Sequence, residues 1–220
     1  MKLEKERILA IAPHTDDIEF GCGGTIAKLL EDGCDVHAVA FSICEESVPN
    51  GFPKDALKNE FMLSMRSFGL ADDHIHILNY RVRRFNERRQ DILEDMIKLR
   101  KTINPSIVFA PSVHDTHQDH NCIAEEAIRA FKTVTLLAYE VPWNHLTFDN
   151  TCFIKLENRH IEAKIEALHH YETQAFRAYA TKEMVLGQAY CRGIQGGGGA
   201  TSPSSSKWFD YFCDFVRPAA

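Results

Sequence analysis

The chain has 220 residues, 45% of them apolar and 25% charged, with a net charge of −6. That length supports one sizeable core, and the acidic balance excludes a global basic field that would draw nucleic acid or anionic membrane. No apolar run approaches the roughly 18 residues that a membrane span needs, and the apolar run Ile8 to Pro13 after the charged Met1–Arg7 segment is too short for a secretory signal.

Ile8 to Ala12 is a short continuous apolar run ending at Pro13, the pattern of a buried parallel strand. After a loop, Thr25 to Asp32 carries Ile26, Leu29 and Leu30 at helical spacing and is closed by Gly33. Val36 to Ser42 is the next strand. Lys54 to Phe68 is helical, with Leu57, Phe61 and Met65 four apart before Gly69. Ile75 to Leu78 reads as a short strand and Arg88 to Ile103 as a helix stopped by Asn104-Pro105. Ile107 to Pro111 is a strand, and Asp119 to Lys132 a helix with Ile123, Ile128 and Phe131 on one face. Val134 to Tyr139 is a further strand and Arg159 to Tyr171 a further helix. The alternation predicts an α/β fold, a three-layer Rossmann-like sandwich with a mainly parallel central sheet, as a single domain over residues 1–220. The low-complexity stretch Gly196 to Ser206 reads as a mobile segment, either an active-site loop or a surface loop. The seven cysteines (22, 34, 44, 122, 152, 191 and 213) are scattered and never form Cys-x-x-Cys, which suits reduced thiols and a cytoplasmic setting.

Two polar clusters follow buried strands. Pro13-His14-Thr15-Asp16-Asp17 comes directly after the first, and Asp115, His117, Asp119 and His120 come after the strand ending at Pro111. Ligands in open α/β sheets bind at the carboxyl ends of strands. If these two strands are neighbours, both clusters share one edge. Two histidines and one carboxylate there match a catalytic zinc site with a fourth position left for water. The spacing suits His14, Asp17 and His120 as the zinc ligands. Asp16 then becomes the general base, and His117 the group that stabilises the oxyanion and protonates the amine, with Asp119 orienting its ring. Adjacent aspartates alone are more often caps or turn residues. It is the joint occurrence of the two clusters that points to a site.

These residues carry a resemblance. PHTDDIEFGCGGT looks like the first motif of the PIG-L/LmbE-like deacetylases, and HQDH resembles that family's later motif. The likeness runs over roughly residues 7–195, through Glu60 to Gly69, Asn104-Pro105, Tyr139 to Asn144 and Lys164 to Gln174. It implies the same ligands, base and acid. It also implies a zinc-dependent removal of acetate from an N-acetylated amino sugar or sugar conjugate, with another divalent ion such as Fe2+ also compatible. Two departures are visible: Thr15 stands where the family usually has proline, and the Gly/Ser-rich segment interrupts the run to the last strand, for which Tyr211 to Val216 is the candidate.

Other signals are less specific. Arg81, Arg83, Arg84, Arg88 and Arg89 form either an anion clamp, with Arg84 as the substrate contact, or a solvated face. Trp143 and Asn144 follow a strand end and are candidates for packing and hydrogen-bonding a sugar ring. Gly21, Gly23 and Gly24 miss the dinucleotide fingerprint, because Ile26 occupies the third required place. The partner expected is a small-molecule amino sugar, with a homo-oligomer left open. Two rival readings remain: an amidase acting on a larger conjugate, and a non-catalytic metal or nucleotide binder, which would need neither Asp16 nor His117.

Overall fold

The apolar runs become strands β1 (Arg7–Ala12), β2 (Asp35–Ala40), β3 (Ile75–Ile77), β4 (Ile107–Pro111) and β5 (Thr135–Tyr139), all parallel to their neighbours. The structure, a computed structural model, describes residues 5–197 and the backbone of 208–215. Two further strands, β6 (Cys152–Leu156) and β7 (Trp208–Phe215), complete a sheet of order β3-β2-β1-β4-β5-β7-β6. β7 runs antiparallel to both β5 and β6.

Helices α1 (Asp17–Glu31) and α2 (Ala56–Phe68) connect the first three strands. Their Ile18, Ile26, Leu29, Phe61 and Met65 pack on the face made by Ile8, Ala10, Val36, Ala38 and Phe109. Helices α3 (Arg89–Ile103) and α4 (Gln118–Ala130) cover the other face, placing Ile92, Met96, Ile123 and Ala127 against Leu9, Ile11, Val39 and Val108. Apolar side chains on both faces of the parallel strands explain why these strands read as unbroken apolar runs. Helices α5 (Asn158–His169) and α6 (Lys182–Gln195) add a smaller cluster with Phe20 and Leu156. The expected three-layer α/β sandwich is the fold found.

The connections leave β1 and β4 in opposite directions, so the crevice between their carboxyl ends is a topological switch point. Both polar clusters open there.

Some expectations need correction. Helix α1 begins at Asp17, not at Thr25, although its Cys22 has non-helical dihedrals (φ −143°, ψ 18°). Gly21, in the stretch read as a loop, instead lets the helix sit down on the sheet. A Cβ on Gly21 would lie 2.2 Å from the Tyr139 ring, whose hydroxyl donates to the Ile11 carbonyl at 2.9 Å. Tertiary packing thus overrides helix propensity. β6 and α6 are additions to the sequence reading. The last strand runs from Trp208 to Phe215, whereas residues 198–206 of the Gly/Ser-rich stretch lie outside the described residues.

Candidate metal and catalytic centre

The turn after β1 folds back on itself: the His14 backbone N–H donates to Asp17 Oδ2 at 2.8 Å, just where α1 starts. α4 opens with His117 as its N-cap, whose Nδ1 accepts the Asp119 backbone N–H at 3.1 Å, and His120 follows in the first turn. Because β1 and β4 are paired, these two helix starts face each other.

Three donor atoms converge. His14 Nδ1 lies 3.1 Å from His120 Nε2, and Asp17 Oδ2 lies 3.3 Å from the first and 3.2 Å from the second. Tetrahedral zinc with bonds of about 2.0–2.1 Å places its ligands about 3.3 Å apart, so the residues present fit a divalent ion. The other nitrogen of each ring is backed by a carboxylate. Asp119 Oδ2 is 3.0 Å from His14 Nε2, and Asp115 Oδ2 is 2.7 Å from His120 Nδ1. Such carboxylate backing fixes the tautomer and orientation of a metal-binding imidazole. A ligand atom of His117 also lies within 4.8 Å of those of His14 and His120.

The electrostatics agree with a cation site. Burial alone would lower the pKa of His120, but Asp17 and Asp115 outweigh it and raise it to about 10. His14 is likewise raised, its burial offset by hydrogen bonds to Asp119 and Asp17. Asp17 is held well below the usual carboxylate range, because His120 and His14 overcome the effect of burial. A divalent ion can take the place of the two imidazolium protons without changing the net charge. Asp16 behaves differently: burial and the adjacent Asp17 push it up to about 6. It occupies the N-cap of α1, yet its side chain makes no capping bond. His117 is pushed down to about 4 by burial and then by His14 and His120. With Nδ1 accepting a backbone N–H, its ring proton sits on Nε2.

Asp119 therefore requires a correction. Its carboxylate does not orient His117. It holds His14, and it also accepts the backbone N–H groups of Arg83 at 2.5 Å and Phe85 at 3.3 Å. Arg84 is a second correction: it is exposed, paired with Glu87 at 2.5 Å, and absent from the pocket lining. Sequence reasoning missed Asp115 as the partner of His120. It also missed Glu19, buried at 2.6 Å from the Tyr171 hydroxyl, which in turn contacts the Thr15 carbonyl between the two halves of the motif. Burial raises the Glu19 pKa to about 8.

These groups open into a cavity of about 370 Å³ lined by His14, Asp16, Asp17, His117, His120, Trp143 and Asn144, with Arg83, Arg177 and Tyr179 also in its walls. Its size is at the small end of ligand pockets, which run from about 300 to 1,000 Å³. Trp143 stacks on Tyr179 with ring centroids 4.0 Å apart and meets Phe20 edge-on. Asn144 Nδ2 donates to Asp115 Oδ2 at 3.3 Å.

The profile of the family described as PIG-L, GlcNAc-PI de-N-acetylase, matches residues 9–131, which include both motifs and more than half of the chain. The chain belongs to the PIG-L family. It is 28% identical over 178 residues to the "Uncharacterized deacetylase YaiS" of Escherichia coli, covering 77% of this chain and 92% of that protein. It also resembles the solved N,N'-diacetylchitobiose deacetylase of Pyrococcus horikoshii, with a TM-score of 0.76 and 21% identity over 97% of this chain and 85% of that one. The 4-carboxy-2-hydroxymuconate hydratase GalB from Pseudomonas putida shares the fold at a TM-score of 0.75, with 18% identity over 97% of each chain. PIG-L membership places this chain in a deacetylase family of hydrolases, whereas the shared fold alone also accommodates a hydratase. Among the described residues no helix is long and apolar enough to cross a membrane.

Proposed function

We propose that the chain, working as one domain, is a metal-dependent N-deacetylase that releases acetate from an N-acetylated amino sugar or sugar conjugate. The observation that carries this reading is the convergence of His14 Nδ1, Asp17 Oδ2 and His120 Nε2 at 3.1–3.3 Å beside Asp16 and His117, in one pocket. His14, Asp17 and His120 would hold the ion. An ion there supplies Lewis acidity, polarising the amide carbonyl and making water nucleophilic near neutral pH. Zinc suits this donor set, which is also the two-histidine, one-carboxylate set of Fe(II) sites.

The chain's own groups then move the protons. Asp16, free of any capping bond, takes a proton from the attacking water. The Nε2–H of His117 donates to the carbonyl oxygen as it gains charge. The sequence pattern assigns protonation of the amine to His117, but burial and the neighbouring His14 and His120 keep that ring neutral. The proton on Asp16 passes to the nitrogen instead as the C–N bond breaks, and water and amide become acetic acid and amine, which leave as acetate and ammonium. Asp119 and Asp115 keep the His14 and His120 rings in place throughout. Trp143 and Tyr179 offer an apolar wall against which a sugar ring can pack. A non-catalytic metal binder would have no use for a free carboxylate and an imidazole N–H beside its ion.

The test is to purify the protein, measure its bound metal, and follow acetate release from N-acetylglucosamine derivatives. Asp16→Asn should keep its metal and lose about 10²-fold or more in kcat, the scale of a positioned general base. Full activity in that variant would overturn the assignment of the base. Metal binding without release of acetate from any acetylated sugar would overturn the deacetylase reading.

A further inference from the structure

The arginine-rich stretch after β3 does not act as one clamp. Arg81 pairs with Glu46 at 2.6 Å, Arg84 with Glu87 at 2.5 Å, Arg88 with Asp91 at 2.5 Å, and Arg89 with Glu126 at 2.6 Å. Arg83 is different. Among the described residues its guanidinium has no hydrogen-bond or ion-pair partner, and it lines the cavity that holds His14, Asp16 and His120. The other described arginines, from Arg7 to Arg192, each have a carboxylate, amide or carbonyl partner.

The backbone shows why Arg83 and not Arg84 reaches the pocket. Arg83 adopts a left-handed conformation, φ 66°, unusual for a residue with a side chain. Its N–H is held at 2.5 Å by Asp119 Oδ2, the same oxygen that lies 3.0 Å from His14 Nε2. Val82 and Phe85 on either side are buried. A strained residue fixed by its surroundings beside a site is a recurrent mark of function. One carboxylate thus sets both a ring at the centre and the arginine on the wall. Arg177 supplies a second cation in the lining, its Nε donating to Gln174 Oε1 at 2.7 Å and its guanidinium 5.7 Å from the Tyr179 ring centroid.

We infer that Arg83, assisted by Arg177, forms an anion subsite, and that the preferred substrate is an N-acetylated amino sugar carrying a carboxylate or phosphate on the sugar or on the group attached to it. Asp17 is engaged by His14 and His120, whereas the Arg83 guanidinium has no carboxylate of its own among the described residues, so its charge is left for the substrate. A guanidinium recognises either anion through paired N–H donors. The inference rests on the proposed deacetylation.

The test compares acetate release from neutral N-acetylglucosamine, its 6-phosphate, and N-acetylmuramic acid as the carboxylate arm, using the metal-loaded full chain. The wild type should favour at least one anionic substrate by about tenfold or more in kcat/KM, the scale of a charge-assisted hydrogen bond, and added salt should shrink that preference. Arg83→Ala should lose the preference mainly through KM for the anionic substrate. Arg83→Lys should recover part of it, and Arg84→Ala should behave as the wild type. The arm that responds identifies the anion. Equal use of neutral and anionic sugars by the wild type would overturn the subsite, as would an equal loss on both in Arg83→Ala, while leaving the deacetylase reading intact. Should no sugar be cleaved, calorimetric binding of N-acetylglucosamine 6-phosphate and N-acetylmuramic acid to wild type and Arg83→Ala decides. Weaker binding by the variant supports the subsite, and equal or absent binding overturns it.

Discussion

Among the described residues, two groups of histidines gather around carboxylates, near opposite edges of the same parallel sheet. At the carboxyl ends, His14 and His120 share Asp17 with donor atoms 3.1–3.3 Å apart. At the amino-terminal ends of β2 and β3, His37 and His74 approach Asp35 Oδ1 at 3.4 and 3.5 Å. The residue types are the same in both, but the arrangement around them differs. In the first group each ring has a second carboxylate on its far nitrogen, Asp119 or Asp115. In the second, His74 Nδ1 lies 3.2 Å from the Val36 carbonyl, Asp35 is paired with Arg7, and the His37 and His74 rings stack 4.1 Å apart. Groups already committed to one another are poor ligands. The contrast teaches that the outer partners, more than the count of histidines, set the proposed cation site apart from a polar patch.

The largest effect that would break this comparison is at His120. His120→Ala should lose the bound metal and about 10³-fold or more in kcat/KM, whereas His37→Ala should keep both; metal analysis and acetate release on the same samples check this. Next is pH. His14 and His120 both take up protons readily in the ion-free site, their pKa values being raised. Metal must displace those protons, so affinity should rise with pH, by about tenfold per unit for each proton released. A chelator competition at pH 6 and pH 8 measures it, and flat affinity would count against these ligands. Smaller again are the outer carboxylates: Asp119→Asn and Asp115→Asn should each cost about 10- to 100-fold in metal affinity or activity. The least effect is at the strand-edge group. Burial comes first among the causes that lower the pKa values of His37 and His76 below the ordinary 6.5. The unfolded chain therefore protonates before the folded one, and the stability these rings permit is full above pH 6.5 and is lost as pH falls below it. His37→Gln should change stability by less than about 0.5 kcal/mol at neutral pH and flatten that acid decline in thermal unfolding.

Much of the site was legible in the sequence because its central residues directly follow strands that read as unbroken apolar runs. His14, Asp16 and Asp17 lie in one short stretch, as do His117 and His120, and only the adjacency of β1 and β4 had to be assumed. What was not legible depended on partners distant in the chain. Whether the Asp119 carboxylate serves His117 or His14 is decided by ring orientation across the crevice, with the nearer ring taking the backbone N–H instead. The choice between Arg83 and Arg84 turns on one left-handed residue that spacing does not reveal. Gly21 looked like part of a loop because its reason for being glycine, the Tyr139 ring, belongs to a strand far along the chain.

The central claim is tested most directly by metal stoichiometry, measured by plasma mass spectrometry on the wild type, His120→Ala and His37→Ala under the same metal-loading conditions. The account expects one divalent ion per chain in the wild type and in His37→Ala, and close to none in His120→Ala. Metal retained in His120→Ala, or lost in His37→Ala, would contradict it.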